Sequence, residues 1–352
     1  VRIQAPQPLR SSKAFEFCRA GSKRVEGSST SGSSRFRKHS SRHRVGAVGV
    51  SWQVDGVNME KAVSEASWQS DIIVPHAEGL VAADAGILPG IPHWLAPDID
   101  GLRLLPGRNT YRATVDDVPF DVFLDRKGRR RLIVLLPGAT SRAKGHIDFQ
   151  RHAWSRDFPE HDVLSVSDPS VRADNDLKLG WFQHEEKRYG LPALASLIRC
   201  VSERGNYSPE EIVLFGSSGG GFAALQLSRF LPDATAIAIN PQINLANYFR
   251  SFYDKMITSC YPGRSAASVA SDYPDRISVD IELDRRRAPV YIFQNVHDHL
   301  HLNKHLRPFV GTFDEGEVAS FQGALDAAAA TRKLNVIYYD DEASGHSPPS
   351  KE

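Results

Sequence analysis

The chain has 352 residues, of which 41% are hydrophobic and 24% charged, a composition typical of a soluble globular protein with a sizeable core. This composition excludes a fibrous or wholly disordered chain. No run of about 18 apolar residues occurs, and the N-terminus lacks the apolar core of a signal peptide, so we expect no transmembrane segment and a cytoplasmic location. Three widely spaced cysteines indicate reduced thiols rather than disulfides or a cysteine-based zinc site: Cys18, Cys200 and Cys260.

The net charge of +1 hides a basic N-terminal segment. Residues 1–47 hold 11 Lys and Arg against Glu16 and Glu26, so this segment carries +9 and the remainder −8. A basic stretch can contact nucleic acid or an anionic membrane, but Ser- and Arg-rich sequence without apolar periodicity is more often a solvated extension. We therefore predict a disordered leader over 1–47 with no specific nucleic-acid partner. An irregular N-terminal cap or subdomain is predicted over 48–110.

Regular hydrophobic patterns begin near residue 111. Two short strands at 111–115 and 118–124, joined by Asp116-Asp117, predict a hairpin. Continuous apolar runs bounded by turn residues then predict buried parallel strands. These runs are 132–136, 163–166, 212–215, 235–239, 290–293 and 336–339. Helical spacing predicts helices over 191–203, 222–230, 246–256 and 321–333.

This order of elements predicts the fold class. A hairpin that leads into alternating strands and helices indicates an α/β fold with a doubly wound, mostly parallel sheet, which we place at 111–352. Segment 257–288 loses clear periodicity and is either a lid over the site or a plain connection. No internal repeat is evident.

The segment around Ser218 fits a nucleophile elbow. Gly216-Ser217-Ser218-Gly219-Gly220 has the form G-x-S-x-G and lies between an apolar strand and a predicted helix, the context that gives this motif its meaning. Small flanking residues allow a tight, strained turn from which only the central residue projects. Ser218 is therefore the candidate catalytic nucleophile, at a helix N-terminus where developing negative charge is favoured.

This glycine cluster has other possible roles. It could serve packing alone or cradle a phosphate, but a dinucleotide-binding fingerprint needs another glycine spacing near the first strand, and a P-loop needs Gly-Lys-Ser/Thr. Ser217 would be the nucleophile only if the motif were shifted by one residue, and the shifted motif lacks its first glycine. Ser218 is preferred.

A serine nucleophile needs a histidine base oriented by a carboxylate, and in this type of fold they follow in the order serine, acid, histidine. Asp298 follows the strand at 290–293 and is the only carboxylate between Asp284 and Asp314. His346 follows the last strand in a Gly-His loop. Asp298 and His346 are the predicted acid and base, with Asp340 and Asp341 as alternative acids.

The oxyanion hole is expected from the N–H group of Gly219 and from the loop after the strand at 132–136. Gly138 or Ala139 in that loop would supply the second N–H group. Arg142, farther along the same loop, is a candidate pocket residue for an anionic or carbohydrate substrate. His301 is a second candidate for the pocket.

Four histidines crowd the stretch around Asp298: His297, His299, His301 and His305. Alternating histidines can bind zinc, but no carboxylate–histidine pair elsewhere completes a recognisable ligand set. We therefore predict no metal and no other cofactor.

Residues from about 111 to 350 resemble the α/β-hydrolase superfamily. The resemblance is carried by the glycine-rich elbow at 216–221, the segment 295–298, and the closing Gly345-His346-Ser347-Pro348-Pro349. The same segments resemble hydrolase-like proteins of bacterial surface-polysaccharide and glycosylation pathways. The resemblance implies acyl transfer through an acyl-enzyme, with Ser218, Asp298 and His346 as a triad and with Gly219 and Gly138 as oxyanion donors.

The sequence departs from this family after its histidine. Members usually continue into a helix that packs on the sheet, whereas six residues follow His346 here. The expectation is therefore that the chain is truncated or that another element steadies the histidine loop.

Three functions fit the sequence. The first is a serine hydrolase, a carboxylesterase or deacylase that cleaves an ester of a small molecule or carbohydrate. The second is an acyltransferase that uses the same triad and an acceptor alcohol. The third is a non-catalytic hydrolase-fold component of a surface-polysaccharide or glycosylation pathway. The sequence determines neither the substrate nor the oligomeric state.

Overall fold

The computed structural model describes residues 53–54, 57–58, 80–83, 86–314, 316–322 and 332–347. The leader predicted over 1–47 lies outside these residues, as does most of the first half of the predicted 48–110 subdomain. The chain divides into two units, one of residues 19–76 and one of residues 1–18 with 77–352. In the first unit, two short strands pair antiparallel: β1 Gln53–Val54 and β2 Val57–Asn58.

The described part of the second unit is built on one large sheet with helices between its strands. The strands are β3 Val81–Ala82, β4 His93–Ala96, β5 Gly107–Val115, β6 Val118–Arg126, β7 Arg131–Leu136, β8 His161–Val166, β9 Ile212–Ser217, β10 Thr235–Ile239, β11 Val290–Asn295, β12 Val318–Gln322 and β13 Leu334–Tyr339. The helices are α1 Gly190–Gly205, α2 Gly219–Phe230, α3 Arg250–Cys260, α4 Ala266–Asp272, α5 Pro274–Ile277, α6 His299–His301 and α7 Arg307–Val310, with a π-helical turn at Leu302–Leu306.

The sheet order is β12-β13-β11-β10-β9-β7-β8-β6-β5-β4-β3. In this order, the strands from β8 across to β12 all run in the same direction. Strand β6 pairs antiparallel with both β5 and β8. Strand β8 pairs with β7 on one side, and β9 then pairs with β7 on the other side. Strand β9 therefore lies near the middle of the sheet. The carboxyl ends of β7, β9 and β10 therefore meet at one edge, where ligands bind in open α/β sheets.

The predicted α/β class is confirmed: the sheet is mostly parallel with an antiparallel start, and helices lie between its strands. The hairpin is confirmed as β5 and β6, and its turn residues Asp116 and Asp117 have φ of 50° and 61°, as a two-residue hairpin turn requires. Each of the six predicted parallel strands is present, extended by at most a few residues.

Two predicted helices differ from the structure. Helix α3 begins at Arg250 rather than at 246, because the Asn244 side chain caps a separate turn by accepting a hydrogen bond from the Ala246 N–H at 3.0 Å. The helix predicted over 321–333 is wrong at its start, since Phe321 and Gln322 belong to β12 and pair with β13. Residues 323–331 of that prediction lie outside the described residues.

The candidate lid at 257–288 contains the end of α3 together with α4 and α5. Buried apolar side chains anchor it, including Tyr261 and Ile277, and Gln226 of α2 donates hydrogen bonds to the carbonyl oxygens of Asp275 at 2.8 Å and Ser278 at 3.1 Å. Its role as a lid stays a prediction. Within the described residues, none of the helices combines the length and the apolarity that crossing a membrane requires.

Candidate active site

Ser218 lies at the tight turn between β9 and α2. Its φ of 55° and ψ of −118° form a conformation that non-glycine residues rarely adopt, at a cost of about 1–3 kcal/mol. A Cβ atom on Gly216 would lie 2.1 Å from the Gly220 carbonyl oxygen, and one on Gly220 would lie 2.3 Å from the Leu136 carbonyl oxygen. Only glycine therefore lets β7, β9 and α2 approach so closely, and this approach sets Ser218 at the helix N-terminus.

The neighbouring Ser217, the rival nucleophile, faces a different partner. Its hydroxyl accepts a hydrogen bond from the Arg151 guanidinium, which also lies over the rings of Trp154 and Phe215. Burial lowers the pKa of Arg151, and Asp148 offsets this only in part. The two serines of the elbow thus have separate surroundings.

The Ser218 hydroxyl is bonded to a residue that sequence reasoning missed. Its Oγ accepts a hydrogen bond from Gln242 Nε2 at 3.0 Å, and Gln242 Oε1 accepts one from Trp181 Nε1 at 2.5 Å. Gln242 and Trp181 are both buried. The only sequence signal for Gln242 was its place just after β10, at the edge of the sheet where the candidate site lies.

The structure brings the predicted acid and base together. His346 Nδ1 lies 2.6 Å from Asp298 Oδ2. Asp298 is buried, whereas 43% of the His346 side chain is exposed. The loop that carries His346 is held by two buried amides, since Asn240 donates to the His346 carbonyl oxygen at 3.1 Å and Asn295 donates to that of Gly345 at 2.8 Å.

The alternative acids are engaged elsewhere. Asp340 Oδ1 lies 2.7 Å from His297 Nε2. Asp341 Oδ1 accepts a hydrogen bond from the Ser344 N–H at 3.0 Å and so shapes the turn before His346. Neither carboxylate is bonded to His346 in the described part of the chain.

His301, predicted to line the substrate pocket, is buried beside His346, and its contact with substrate stays a prediction. It is only 2% exposed, and its Nδ1 lies 2.9 Å from Asp298 Oδ1. Its ring stacks on that of His346 with centroids 4.1 Å apart and planes 14° apart. Asp298 therefore accepts a hydrogen bond from a different histidine on each of its two oxygens.

Opposed effects set the charges in this group. Burial by itself would raise the pKa of Asp298, but the hydrogen bonds from His301 and His346 outweigh it and hold that pKa below its usual range. Burial lowers the pKa of His301, and its bond to Asp298 offsets this only in part. The stable arrangement is an ionised Asp298 carboxylate that accepts a hydrogen bond from Nδ1 of a neutral His301.

Ser218 and His346 are tied to the same strand end. The Ser218 N–H donates to the Ile239 carbonyl oxygen at 3.0 Å, and the next residue, Asn240, holds the His346 carbonyl. Among the described residues, the Ser218 hydroxyl is bonded to Gln242 and the His346 ring to Asp298, with no hydrogen bond between Ser218 and His346.

The candidate oxyanion donors differ in their availability. The Gly219 N–H opens helix α2, so it has no acceptor within the helix. The Gly138 N–H donates to Gln150 Oε1 at 3.0 Å and is therefore engaged. The next N–H, that of Ala139, has no acceptor among the described residues. A Cβ atom on Gly138 would lie 3.8 Å from the Ser218 Cβ, so this loop adjoins Ser218.

Arg142, the other predicted pocket residue, tethers a loop. Its guanidinium donates to the carbonyl oxygens of Arg172 at 3.1 Å and Asn175 at 2.7 Å. The structure thus gives Arg142 a bridging position, and its contact with substrate stays a prediction.

One group of described residues offers metal-binding atoms close together: Asp298, His301 and His346, within 4.8 Å of one another. Both Nδ1 atoms already face the carboxylate, and the two rings lie in nearly parallel planes. Because an imidazole lone pair lies in its ring plane, the two Nε2 lone pairs do not converge on one ion. Of the other crowded histidines, His297 faces Asp340, His299 is exposed, and His305 accepts from backbone N–H groups.

No protein-family model and no curated protein matches this chain. Solved structures do match. The capsule O-acetyltransferase of Neisseria meningitidis serogroup A is 21% identical over 65% of this chain and 90% of its own, with a TM-score of 0.42. The 2,6-dihydroxy-pseudo-oxynicotine hydrolase is 16% identical over 69% and 63%, with a TM-score of 0.47. Acetyl xylan esterase 1 from Thermoanaerobacterium sp. is 11% identical over 70% and 81%, with a TM-score of 0.47. Identities this low do not bear on the reaction.

Proposed function

We propose that this protein of α/β-hydrolase fold is a serine esterase that uses Ser218, His346 and Asp298 as its catalytic triad. The observation that carries the proposal is the Asp298–His346 hydrogen bond at 2.6 Å, at the edge of the sheet where the strained elbow presents Ser218. A buried carboxylate that fixes one nitrogen of an exposed imidazole leaves the other nitrogen free to accept a proton.

The proposed reaction has two halves. Ser218 Oγ attacks the ester carbonyl carbon while its proton passes to His346 Nε2, and the N–H groups of Gly219 and Ala139 receive the oxyanion. The carbon–oxygen bond of the leaving alcohol then breaks, and His346 returns the proton to that alcohol. Water attacks the acyl-enzyme, gives its proton to His346, and the freed Ser218 recovers it. The ester of a small molecule or carbohydrate is the proposed substrate class.

A covalent probe tests the nucleophile. We expect a fluorophosphonate to label the folded protein at Ser218 and p-nitrophenyl acetate to be hydrolysed. Ser218→Ala should abolish labelling and lower kcat/KM by at least about 10³-fold, because the triad acts as a unit. Peptide mapping of the labelled site and thermal unfolding of both proteins are the measurements. Folded wild-type protein that remains unlabelled would contradict the proposal.

The same acyl-enzyme could pass its acyl group to an alcohol, so the acceptor is tested separately. Free acid and acylated acceptor are quantified while a sugar or alcohol is added at increasing concentration. Release of free acid alone at saturating acceptor supports the esterase, and a product that partitions toward the acceptor identifies an acyltransferase. Full cellular function of Ser218→Ala would instead favour a non-catalytic role.

A further inference from the structure

We propose that Gln242 is a further catalytic residue, whose side-chain amide donates a hydrogen bond to Ser218 Oγ during the reaction, and that Trp181 is the positioning residue that fixes this amide. The proposal rests on the proposed serine-esterase function. It arises from the chain of hydrogen bonds that joins the buried Trp181 and Gln242 to the half-buried Ser218.

The chemistry of the indole decides which way the amide faces. Trp181 Nε1 can only donate a hydrogen bond, so the Gln242 atom that lies 2.5 Å from it must be the oxygen. The amide nitrogen therefore faces Ser218 at 3.0 Å, where it can only donate. Because Ser218 Oγ accepts this bond, its own proton must point elsewhere and is available to a base.

The backbone around the elbow packs closely against this pair. A Cβ atom on Gly219 would lie 2.5 Å from Leu179 Cδ1 and 3.3 Å from Trp181 Nε1, so glycine at this position lets these side chains approach the elbow. The Gln242 N–H also donates to the Ser218 carbonyl oxygen at 3.2 Å. Backbone and side chain of Gln242 thus both bind the nucleophilic residue.

Trp181 is held in an unfavourable backbone conformation. Trp181 and Phe182 have φ of 51° and 58°, in the left-handed region that favours glycine. The buried Asp168 carboxylate holds this turn by accepting hydrogen bonds from the N–H groups of Gly180 at 3.1 Å and Phe182 at 3.2 Å. Strain of this kind is common at functional sites, and the indole N–H of this strained turn donates to Gln242.

The proposed bond acts on the atom whose charge changes. Oγ gains negative charge as its proton leaves for His346, before its bond to the acyl carbon is complete. It gains charge again when that bond breaks after water has attacked the acyl-enzyme. A buried, fixed N–H donor stabilises this charge in both halves without reorganisation at the moment of reaction.

Substitution of Gln242 is the first test. Gln242→Met removes the donor at similar length, and Gln242→Glu places an acceptor against Oγ. With p-nitrophenyl acetate, we expect kcat to fall about 10- to 100-fold while KM stays within about threefold, because the bond strengthens in the transition state. The rate of fluorophosphonate labelling should fall with kcat.

The matched control is Gln226→Met, which removes another buried glutamine amide, one that binds the carbonyl oxygens of Asp275 and Ser278 rather than Ser218. Its labelling rate per folded molecule should equal that of wild type. A wild-type kcat in folded Gln242→Met would overturn the proposal. Wild-type protein that is neither labelled nor active would overturn the proposed function instead.

A double-mutant cycle tests Trp181. Trp181→Phe leaves Gln242 in the chain but frees its amide to rotate, so kcat should fall severalfold. The same change in a Gln242→Met background should have no further effect on kcat, because the bond it orients is already absent. If the two substitutions instead lower kcat by factors that multiply in the double variant, Trp181 acts through packing alone, and its positioning role is overturned. If Gln242→Met does not fold, the labelling rate of Trp181→Phe decides by itself whether the oriented amide matters.

Discussion

At the scale of the residue, the unusual feature is the carboxylate shared by two histidines. Asp298 accepts from His346 on one oxygen and from the buried His301 on the other, so its rotation is restrained from both sides. The stacked His301 ring also covers one face of His346. We propose that His301 supports the predicted acid and base, Asp298 and His346.

Two substitutions separate the contributions of His301. His301→Asn keeps an N–H donor near the place of Nδ1 but loses the ring, whereas His301→Phe keeps a ring and loses the donor. We expect the phenylalanine variant to be the weaker enzyme and to lose about 1–3 kcal/mol of stability, because one oxygen of a buried carboxylate loses its partner. The measurements are kcat/KM and the free energy of unfolding in urea. An asparagine variant as impaired as the phenylalanine variant in both would contradict this role for the donor.

At the scale of the element, the C-terminal end of helix α2 is capped by a buried arginine side chain, that of Arg286. The side chains of Arg285 and Arg287 are exposed, but Arg286 between them is 2% exposed. Its guanidinium donates to four carbonyl oxygens where α2 ends and where β10 and β11 begin: those of Ser228, Leu231, Ala234 and Ala288. Burial lowers its pKa to about 10, so it stays charged at neutral pH. It thus satisfies carbonyl groups that a helix leaves free at its C-terminus.

We therefore expect Arg286→Met to lower the free energy of unfolding by about 3 kcal/mol or more, because several buried carbonyl groups lose their donor. Arg285→Met is the matched control. Its ion pair with Glu282 is exposed, and the expected change is within about 0.5 kcal/mol. Urea unfolding of both variants measures the difference. Equal stability of the two would show that the buried guanidinium is dispensable.

At the scale of the whole molecule, buried histidines make the fold sensitive to acid. Burial lowers the pKa of His305 to about 3 and also lowers the pKa of four others: His93, His161, His184 and His301. A histidine in the unfolded chain has a pKa of 6.5. Below that pH these histidines therefore bind protons in the unfolded chain but stay neutral in the folded one. Stability is therefore full above about pH 6.5 and falls as the pH drops toward 3. The lowered pKa of Asp298 acts only at lower pH, below its ordinary value of 3.8.

His305 is a testable part of this dependence. Its Nδ1 accepts hydrogen bonds from the N–H groups of Ile243 at 3.1 Å and Asn244 at 3.3 Å, which protonation would break. His305→Asn keeps an acceptor but cannot titrate, so its free energy of unfolding should fall less steeply between about pH 6.5 and 4.5, by up to about 1.4 kcal/mol per pH unit. The exposed His299→Asn is the control and should keep the wild-type slope. A wild-type slope in His305→Asn would assign the acid sensitivity to other groups.

The sequence by itself determined the strands, the hairpin and the elbow, because each depends on residues close together in the chain. A short apolar run bounded by turn residues indicates a buried strand, and Asp116-Asp117 between two such runs indicates a tight turn. The order of strands also sufficed to name Asp298 and His346, which the structure joins by a hydrogen bond. Their catalytic role stays a prediction.

Only the tertiary structure decided the partners that are distant in sequence. Gln242 is separated in sequence from Ser218 by 24 residues and from Trp181 by 61, so no local sequence pattern indicates that these side chains are in contact. Likewise, three adjacent arginines look alike until packing buries the middle one, and the apolar spacing after residue 320 fits a helix until β13 offers hydrogen bonds to β12. The physical reason is the same in each case: periodicity reports the neighbours within a turn or a strand, whereas a buried polar group must find its partner wherever the fold brings one.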